Sequence, residues 1–302
     1  MREIHTEYLE AGAQILRTNT FAANSFCMDR SKEQIEETLR SGVRLAREAV
    51  AAWRERTGET KEVYIAGDIG QIPGDALAQK DTLCREYKEI CRIFSGRGSG
   101  LFLSLKHFSE MEELLPAIKM IGEQAFITVQ FSVNQFGYSA AGLSAKRLLA
   151  DAAAVPEIDA VGLNCGVGPA HMRQILEKAG RPVDKFLLAI PNAGYPTLTR
   201  NKLQFGNTPA YFAEKMKELQ ALGADILGGC CGTTPEFIGE LSSWDGILNK
   251  IVLDTETDNG EQTGHVQRHG FLYDENGERK QKKLIAVELA PPFDADDEKL
   301  LE

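Results

Sequence analysis

Residues 126–131 read FITVQF, a short run of β-branched and aromatic residues that predicts a buried strand. The segment 144–154 follows, with apolar residues spaced three or four apart, and predicts a helix. A second apolar run, AVGL at 160–163, comes next. Strand, helix and strand in this order form the unit of a parallel sheet, because the helix returns the chain to begin the next strand in the same direction.

The same alternation extends in both directions from this unit. Further strands are predicted at 13–17, 63–66, 101–103, 186–190 and 224–227, and further helices at 2–11, 35–53, 111–121, 170–179 and 209–222. Seven strands nearly complete a (β/α)8 TIM barrel of the α/β class. We therefore predict that residues 1–250 form such a barrel without its first strand. An open doubly wound sheet also fits, but it usually has fewer repeats, and no Gly-x-Gly-x-x-Gly follows any strand.

The composition changes after the seventh predicted strand. Residues 251–283 are polar and weakly periodic, which predicts a linker, with a short hairpin near Asn276 and Gly277. The run LIAVELAPP at 284–292 then predicts a new strand. A lone strand is not stable by itself, so we interpret 284–302 as the start of a second domain.

Charge and composition narrow the functional classes. The net charge of −10 argues against a nucleic-acid partner, which requires clustered Lys and Arg. No run approaches the roughly 18 apolar residues of a membrane helix, and the charged first residues do not resemble a secretion signal. Six cysteines in 302 residues do not suggest a disulfide scaffold. These features predict a cytoplasmic protein without a membrane partner.

Three cysteines follow predicted strands. Cys165 follows the strand at 160–163, and Cys230 and Cys231 follow the strand at 224–227 between glycines. The carboxyl ends of barrel strands share one face, so residues distant in sequence can meet there. Three thiolates that leave one coordination position open are typical of a catalytic zinc. The alternative is that these cysteines are small buried hydrophobic residues.

The remaining candidate ligands lack this arrangement. We interpret Cys27, Cys84 and Cys91 as packing residues. His5 and His171 are predicted to be surface residues of helices, and His265 and His269 fall in the linker.

A zinc ion with three thiolates suits a particular reaction. Coordination would favour the thiolate form of a substrate thiol at the open position, and that thiolate could attack an electrophilic methyl group. Zinc with three thiolates carries a formal charge of −1, so the bound sulfur stays electron-rich, whereas polarising a carbonyl would favour a less charged ligand set. Thiol methylation therefore ranks above hydrolysis.

Over most of residues 1–250 the sequence resembles the homocysteine S-methyltransferase family. The resemblance lies in HTEYLEAGA at 5–13, TNTF at 18–21, Asn164-Cys165, PNAGYP at 191–196 and GCCGT at 229–233. It implies a βα barrel, zinc bound by Cys165, Cys230 and Cys231, homocysteine as acceptor and methionine as product. It also implies that Asn192 approaches the zinc when substrate is absent. Asn19 and Thr20 would line the substrate pocket, although capping of the next helix is an alternative for both.

The tail carries a second resemblance. The run VELAPP at 287–292 is similar to the first strand of methylenetetrahydrofolate reductase, where the residue matching Glu288 is an acid catalyst. It implies a bifunctional parent protein in which a reductase domain, with FAD and folate, makes methyltetrahydrofolate. A chance strand ending in Pro-Pro is the alternative.

The chain departs from the first family at two places. The family begins with a strand and a loop resembling Asp-Gly-Ala-Met-Gly-Thr, and this chain starts after them, so we expect a gap with two exposed sheet edges. The family also has a Glu that helps to bind the substrate amino group, where this chain has Lys106, and a cation would repel an ammonium. A compensated reading-frame slip over residues 95–107 would explain Lys106, a hypothesis that the coding DNA tests. The resemblance also implies an acidic substrate-binding residue in the missing first loop, and without these two carboxylates we expect zinc binding with poor turnover.

Two other functions stay open at this stage. One is a catalytically impaired zinc-binding fragment of a split or truncated enzyme. The other is a metal-free barrel enzyme such as an aldolase, which needs a Lys at a strand end, a position that Lys106 could fill. For the methyltransferase the donor is undecided between S-methylmethionine, S-adenosylmethionine, and methyltetrahydrofolate through a cobalamin partner.

Overall fold

The computed structural model describes residues 1–72, 80–95, 101–182, 184–199, 202–244 and 284–287. Eight parallel strands close into a barrel, and they are β1 (Ile15–Arg17), β2 (Tyr64–Gly70), β3 (Leu101–Phe108), β4 (Phe126–Phe131), β5 (Ala160–Asn164), β6 (Phe186–Ile190), β9 (Ile226–Gly229) and β10 (Leu284–Val287). Their spatial order around the barrel is β1-β10-β9-β6-β5-β4-β3-β2. A (β/α)8 TIM barrel is therefore confirmed.

Helices surround the barrel and begin at identifiable signals. They are α1 (Arg2–Glu10), α2 (Lys32–Thr57), α3 (Lys80–Ser95), α4 (Leu115–Ile121), α5 (Ala145–Ala153), α6 (Pro169–Ala179), α7 (Pro209–Ala221) and α8 (Pro235–Ser242). Ser31 begins α2 with a capping box, in which its hydroxyl accepts from the Gln34 N–H and the Gln34 side chain accepts from the Ser31 N–H. The Ser144 side chain caps α5 by accepting a hydrogen bond from the Arg147 N–H, and the Thr208 side chain caps α7 by accepting one from the Tyr211 N–H.

The gap expected in the barrel is filled. Strand β10 pairs in parallel with β1 and with β9, and Ala286 lies opposite Ile15 on one side and Gly228 on the other. The expectation of two exposed sheet edges is therefore wrong, because the chain closes the sheet with a strand from the segment that we assigned to a second domain. The predicted linker at 251–283, with its turn near Asn276, and the rest of 284–302 lie outside the described residues.

The core has two layers, which follows from strands that alternate their side chains between the inside and the outside of the barrel. The inner layer contains Ile15, Phe126, Phe186, Ile226 and Leu284. A larger outer layer, between strands and helices, contains residues such as Leu16 and Ile285. Because β10 contributes Leu284 to one layer and Ile285 to the other, it packs as an ordinary barrel strand.

Two helices and a hairpin of two strands were absent from the sequence prediction. Helix α3 buries Leu83, Tyr87, Ile90 and Phe94, whose three- and four-residue spacing is a helical signal that could have been used. Helix α8 follows β9, and β7 (Pro196–Thr199) pairs with β8 (Lys202–Phe205) in an antiparallel hairpin beside the barrel. Among the helices in the described part of the chain, none has both the length and the apolar character needed to cross a bilayer.

Candidate metal centre

Cys165 sits in a left-handed turn at the carboxyl end of β5. Its backbone φ is +61°, and that of Gly166 is +74°. A side chain at Gly166 would place its Cβ 2.2 Å from the Val133 carbonyl oxygen, so only glycine fits this turn. The Cys165 N–H donates to the Ile190 carbonyl over 2.9 Å, which ties the turn to the neighbouring strand β6.

Cys230 and Cys231 sit in a second turn, at the carboxyl end of β9. The Cys230 N–H donates to the Pro191 carbonyl over 2.9 Å. The Thr233 hydroxyl donates back to the Cys230 carbonyl over 2.6 Å, which closes the turn on itself. The Tyr8 hydroxyl of α1 donates to the Thr233 carbonyl over 2.7 Å, so the outer helix also fixes this loop.

The two turns bring the three sulfur atoms together. The Sγ atoms of Cys165 and Cys231 are 3.6 Å apart, those of Cys230 and Cys231 are 3.9 Å apart, and all three lie within 4.8 Å of one another. A tetrahedral zinc with bonds of about 2.3 Å separates two sulfur ligands by about 3.8 Å. The donor set and its spacing therefore fit a zinc ion, and Cys165 and Cys231 are half-buried while Cys230 is buried, so one side of the cluster is accessible.

The sequence of the chain matches a known protein family. The family model described as homocysteine S-methyltransferase matches residues 1–244, most of the chain. The chain belongs to the homocysteine S-methyltransferase family.

Solved structures of a homocysteine methyltransferase share the fold. The oxidized and metallated forms of the homocysteine methyltransferase MmuM from Escherichia coli are each 21% identical to this chain, with a TM-score of 0.66, and the match covers 80% of this chain and 83% of MmuM. The apo form of MmuM is 22% identical, with a TM-score of 0.65 and coverage of 80% and 84%. At these identities the structures establish a common fold for the two chains.

In this chain, Asn192 lies between the two cysteine turns. Its N–H donates to the Val167 carbonyl over 3.0 Å, beside the Cys165 turn, and the next N–H, of Ala193, donates to the Cys231 carbonyl over 2.9 Å. The Asn192 Oδ1 atom is buried and accepts no hydrogen bond from the described residues. A buried oxygen without a donor is costly, so a ligand that supplied a positive charge or a donor would stabilise it.

Asn164 is buried beneath the cysteines. It precedes Cys165 at the end of β5 and is fully shielded from solvent. The Cys230 Sγ lies 3.8 Å from the Asn164 Oδ1 in a geometry that allows the thiol to donate. This contact connects the two halves of the cluster below the sulfur atoms.

The segment 18–21 contacts strand β2. The Thr20 hydroxyl donates to the Asp68 carbonyl over 2.8 Å, and the Asp68 N–H donates to the Thr18 hydroxyl over 3.0 Å. Asn19, with a φ of +55°, lies 3.8 Å from the Met1 sulfur through its Nδ2. Because Ser31 is the N-cap of the next helix, the capping alternative for Asn19 and Thr20 is wrong, and their predicted place in the substrate pocket stays a prediction.

Lys106 and Asp68 form a buried ion pair, which the sequence prediction missed. The Lys106 Nζ is 3.0 Å from the Asp68 Oδ2, and their side chains are 1% and 2% exposed. The Phe21 ring lies 4.8 Å from the same ammonium. The signal for Asp68 was its position near the end of a predicted strand, in AGDIG at 66–70.

The other cysteines and histidines lie apart from the cluster. Cys91 is buried, and burial raises the pKa of its thiol to about 12, so its packing role is confirmed, whereas Cys27 is exposed and that prediction is wrong for it. Cys84 is half-buried. His5 is buried rather than on the surface, and its burial, together with the nearby N-terminal ammonium, lowers its pKa to about 4.

Proposed function

We propose that this chain transfers a methyl group to the thiol of homocysteine, giving methionine, with zinc bound by Cys165, Cys230 and Cys231. The observation that carries the proposal is the convergence of three cysteine sulfurs within 4.8 Å at the carboxyl ends of two barrel strands. Active sites of TIM barrels lie on that face. Membership of the homocysteine S-methyltransferase family supports the reaction and its acceptor.

The proposed reaction is a direct displacement. The homocysteine thiol releases its proton to solvent, and its sulfur forms a bond to the methyl carbon of the donor. The bond between that carbon and the donor atom breaks, and its electron pair leaves with the donor. Zinc bound by the three cysteines would stabilise the thiolate form of the substrate.

The residues around the cluster hold the site in place for this chemistry. The Cys165 turn and the Cys230–Cys231 loop are each hydrogen-bonded to β6 or the segment after it, through Ile190 and Pro191. Such fixed positions reduce the reorganisation that binding requires. The unsatisfied Oδ1 of Asn192, beside both turns, supports its predicted approach to the metal in the absence of substrate.

The finer details of the proposal rest on sequence alone. The donor stays undecided between S-methylmethionine, S-adenosylmethionine, and methyltetrahydrofolate through a cobalamin partner. Coupling to a reductase domain with FAD and folate rests on the resemblance of 287–292. The structure uses Leu284–Val287 as a strand of this barrel, so it adds no support for a second domain there.

Two observations weigh against the alternative functions. An impaired fragment was expected to have an open barrel, and the barrel is closed. An aldolase-type lysine must have its amine free to attack a substrate carbonyl, whereas the Lys106 Nζ is held 3.0 Å from the Asp68 Oδ2 in a buried ion pair.

The test is zinc content and methyl transfer in the same preparations. Purified wild type should bind one zinc per chain and methylate homocysteine with one of the three donors, and Cys230→Ala should lose both properties. Cys84→Ala removes a thiol outside the cluster and is the matched control that should keep both. Retention of full zinc stoichiometry by Cys230→Ala, or zinc binding without methylation from any donor, would contradict the proposal.

A further inference from the structure

We infer that Asp68 is the carboxylate that binds the ammonium group of the acceptor amino acid. This inference rests on the proposed function, because it concerns the substrate of the same site.

Asp68 faces the interior of the barrel. A Cβ on the preceding residue, Gly67, would contact the Phe94 ring of α3, so Gly67 faces the outer helices. Neighbouring residues of a strand point to opposite sides, which turns Asp68 inward. Ala66, two residues earlier, belongs to the inner layer, as this alternation requires.

One oxygen of Asp68 has no hydrogen-bond partner among the described residues. Lys106 contacts Oδ2 at 3.0 Å, while Oδ1 is buried and accepts no hydrogen bond from any described residue. A carboxylate oxygen without a donor in a buried place is costly, and a bound ammonium would supply both a proton donor and the opposite charge.

The position of Asp68 along its strand also suits this role. Among the described residues, the buried acidic side chains are Asp68 and Asp225. Asp225 precedes β9, at the opposite end of the barrel from the cysteines, and its Oδ2 accepts from Arg181 over 3.0 Å and from the Leu187 N–H over 2.9 Å. Asp68 instead lies two residues from the carboxyl end of β2, on the side where the cysteine turns follow their strands.

The backbone around Asp68 is held in place. Its N–H and carbonyl are both hydrogen-bonded to the hydroxyls of Thr18 and Thr20, which are themselves 2.7 Å apart. The ion pair with Lys106 fixes the side chain. A paired lysine and aspartate complement a zwitterion, since the substrate's own carboxylate offsets the repulsion between its ammonium and Lys106.

The inference predicts a preference for amino-acid thiols. Homocysteine and 4-mercaptobutyrate share the thiol, the chain length and the carboxylate, and differ in the ammonium group. A charge-assisted hydrogen bond to a buried carboxylate favours the first thiol by roughly ten- to a hundredfold in affinity. Asp68→Asn, which keeps the shape but not the charge, should reduce that ratio to about one.

The experiment titrates cobalt-substituted protein with each thiol, following the visible absorption of the metal and, separately, the heat of binding. Asp225→Asn is the matched control, because it removes a buried carboxylate at the far end of the barrel, and it should keep the wild-type ratio. The double variant Asp68→Asn with Lys106→Met removes both charges of the pair, and it is used if the single variant does not fold.

The outcomes separate the two proposals. If neither thiol changes the absorption of wild type, the metal does not take a thiol and the proposed function fails together with this inference. If wild type prefers homocysteine and the Asp68 variants keep that preference, the proposed function stands and the role of Asp68 is refuted. Loss of the preference in the Asp68 variants, with unchanged affinity for 4-mercaptobutyrate, is the result expected.

Discussion

Strand β10 closes the barrel, so a cavity beneath it should destabilise the whole domain. Leu284 is fully buried in the inner layer of the core. Replacing a buried Leu with Ala costs about 2–5 kcal/mol, from lost burial and from the cavity left behind. We therefore expect Leu284→Ala to lower the free energy of unfolding by that amount.

The free energy of unfolding that Leu284→Ala removes cannot exceed the free energy with which β10 docks into the barrel. Leu284 and Ile285 are 0% and 2% exposed, and burying two such side chains stabilises by roughly 3–6 kcal/mol before the entropy of ordering the strand is subtracted. If the cavity in a docked strand would cost more than this docking energy, β10 leaves the native barrel instead, and the loss of stability stops at the docking energy. The slope of unfolding free energy against urea then decreases, because the native state already exposes surface.

Urea denaturation followed by circular dichroism measures both quantities. Ile4→Ala is the control, since Ile4 is an apolar residue of α1 that is 38% exposed, and it should change stability by no more than about 0.5 kcal/mol. If Leu284→Ala is as mild as Ile4→Ala, with an unchanged slope, Leu284 is not a core residue and the closure of the barrel by β10 is refuted.

Two further predictions concern His5 and the Cys165 turn. His5 has a pKa of about 4 in the folded chain and 6.5 unfolded, so the unfolded state binds the proton first and stability falls by roughly 3 kcal/mol as pH drops from 6.5 to 4. His5→Gln should remove that component from the pH dependence of urea midpoints, and an unchanged profile would contradict it. Gly166→Ala should cost at least about 1 kcal/mol and displace Cys165, because φ is +74° and the new Cβ would meet the Val133 carbonyl at 2.2 Å. Normal zinc affinity in this variant would show that the turn does not position the sulfur.

The barrel and its cysteines could be predicted from local signals. Strands such as Phe126–Phe131 and Phe186–Ile190 are continuous apolar runs, which a parallel sheet buried on both faces requires. The two cysteine segments each follow such a run, and parallel strands place their carboxyl ends on one face. Predicting the cluster therefore required no knowledge of distances.

The closing strand and the ion pair could not be predicted in the same way. The pattern at 284–287 predicts a strand, but its partners depend on which edge is unfilled, and pairing between β10 and β1 joins residues that are far apart in the chain. The sequence gives only the charge of Lys106, which predicts that it repels the ammonium group of the substrate. The Asp68 carboxylate beside it changes that reasoning, and their proximity follows from the register of β2 against β3, in which Gly70 lies opposite Lys106.

The central claim is that three cysteine sulfurs bind a zinc ion that keeps one position for the substrate thiol. X-ray absorption at the zinc edge counts the sulfur ligands directly. Zinc-loaded protein should show three sulfurs at about 2.3 Å, and addition of homocysteine should raise the count to four. A count that stays the same with homocysteine, or fewer than three sulfurs in its absence, would contradict the account.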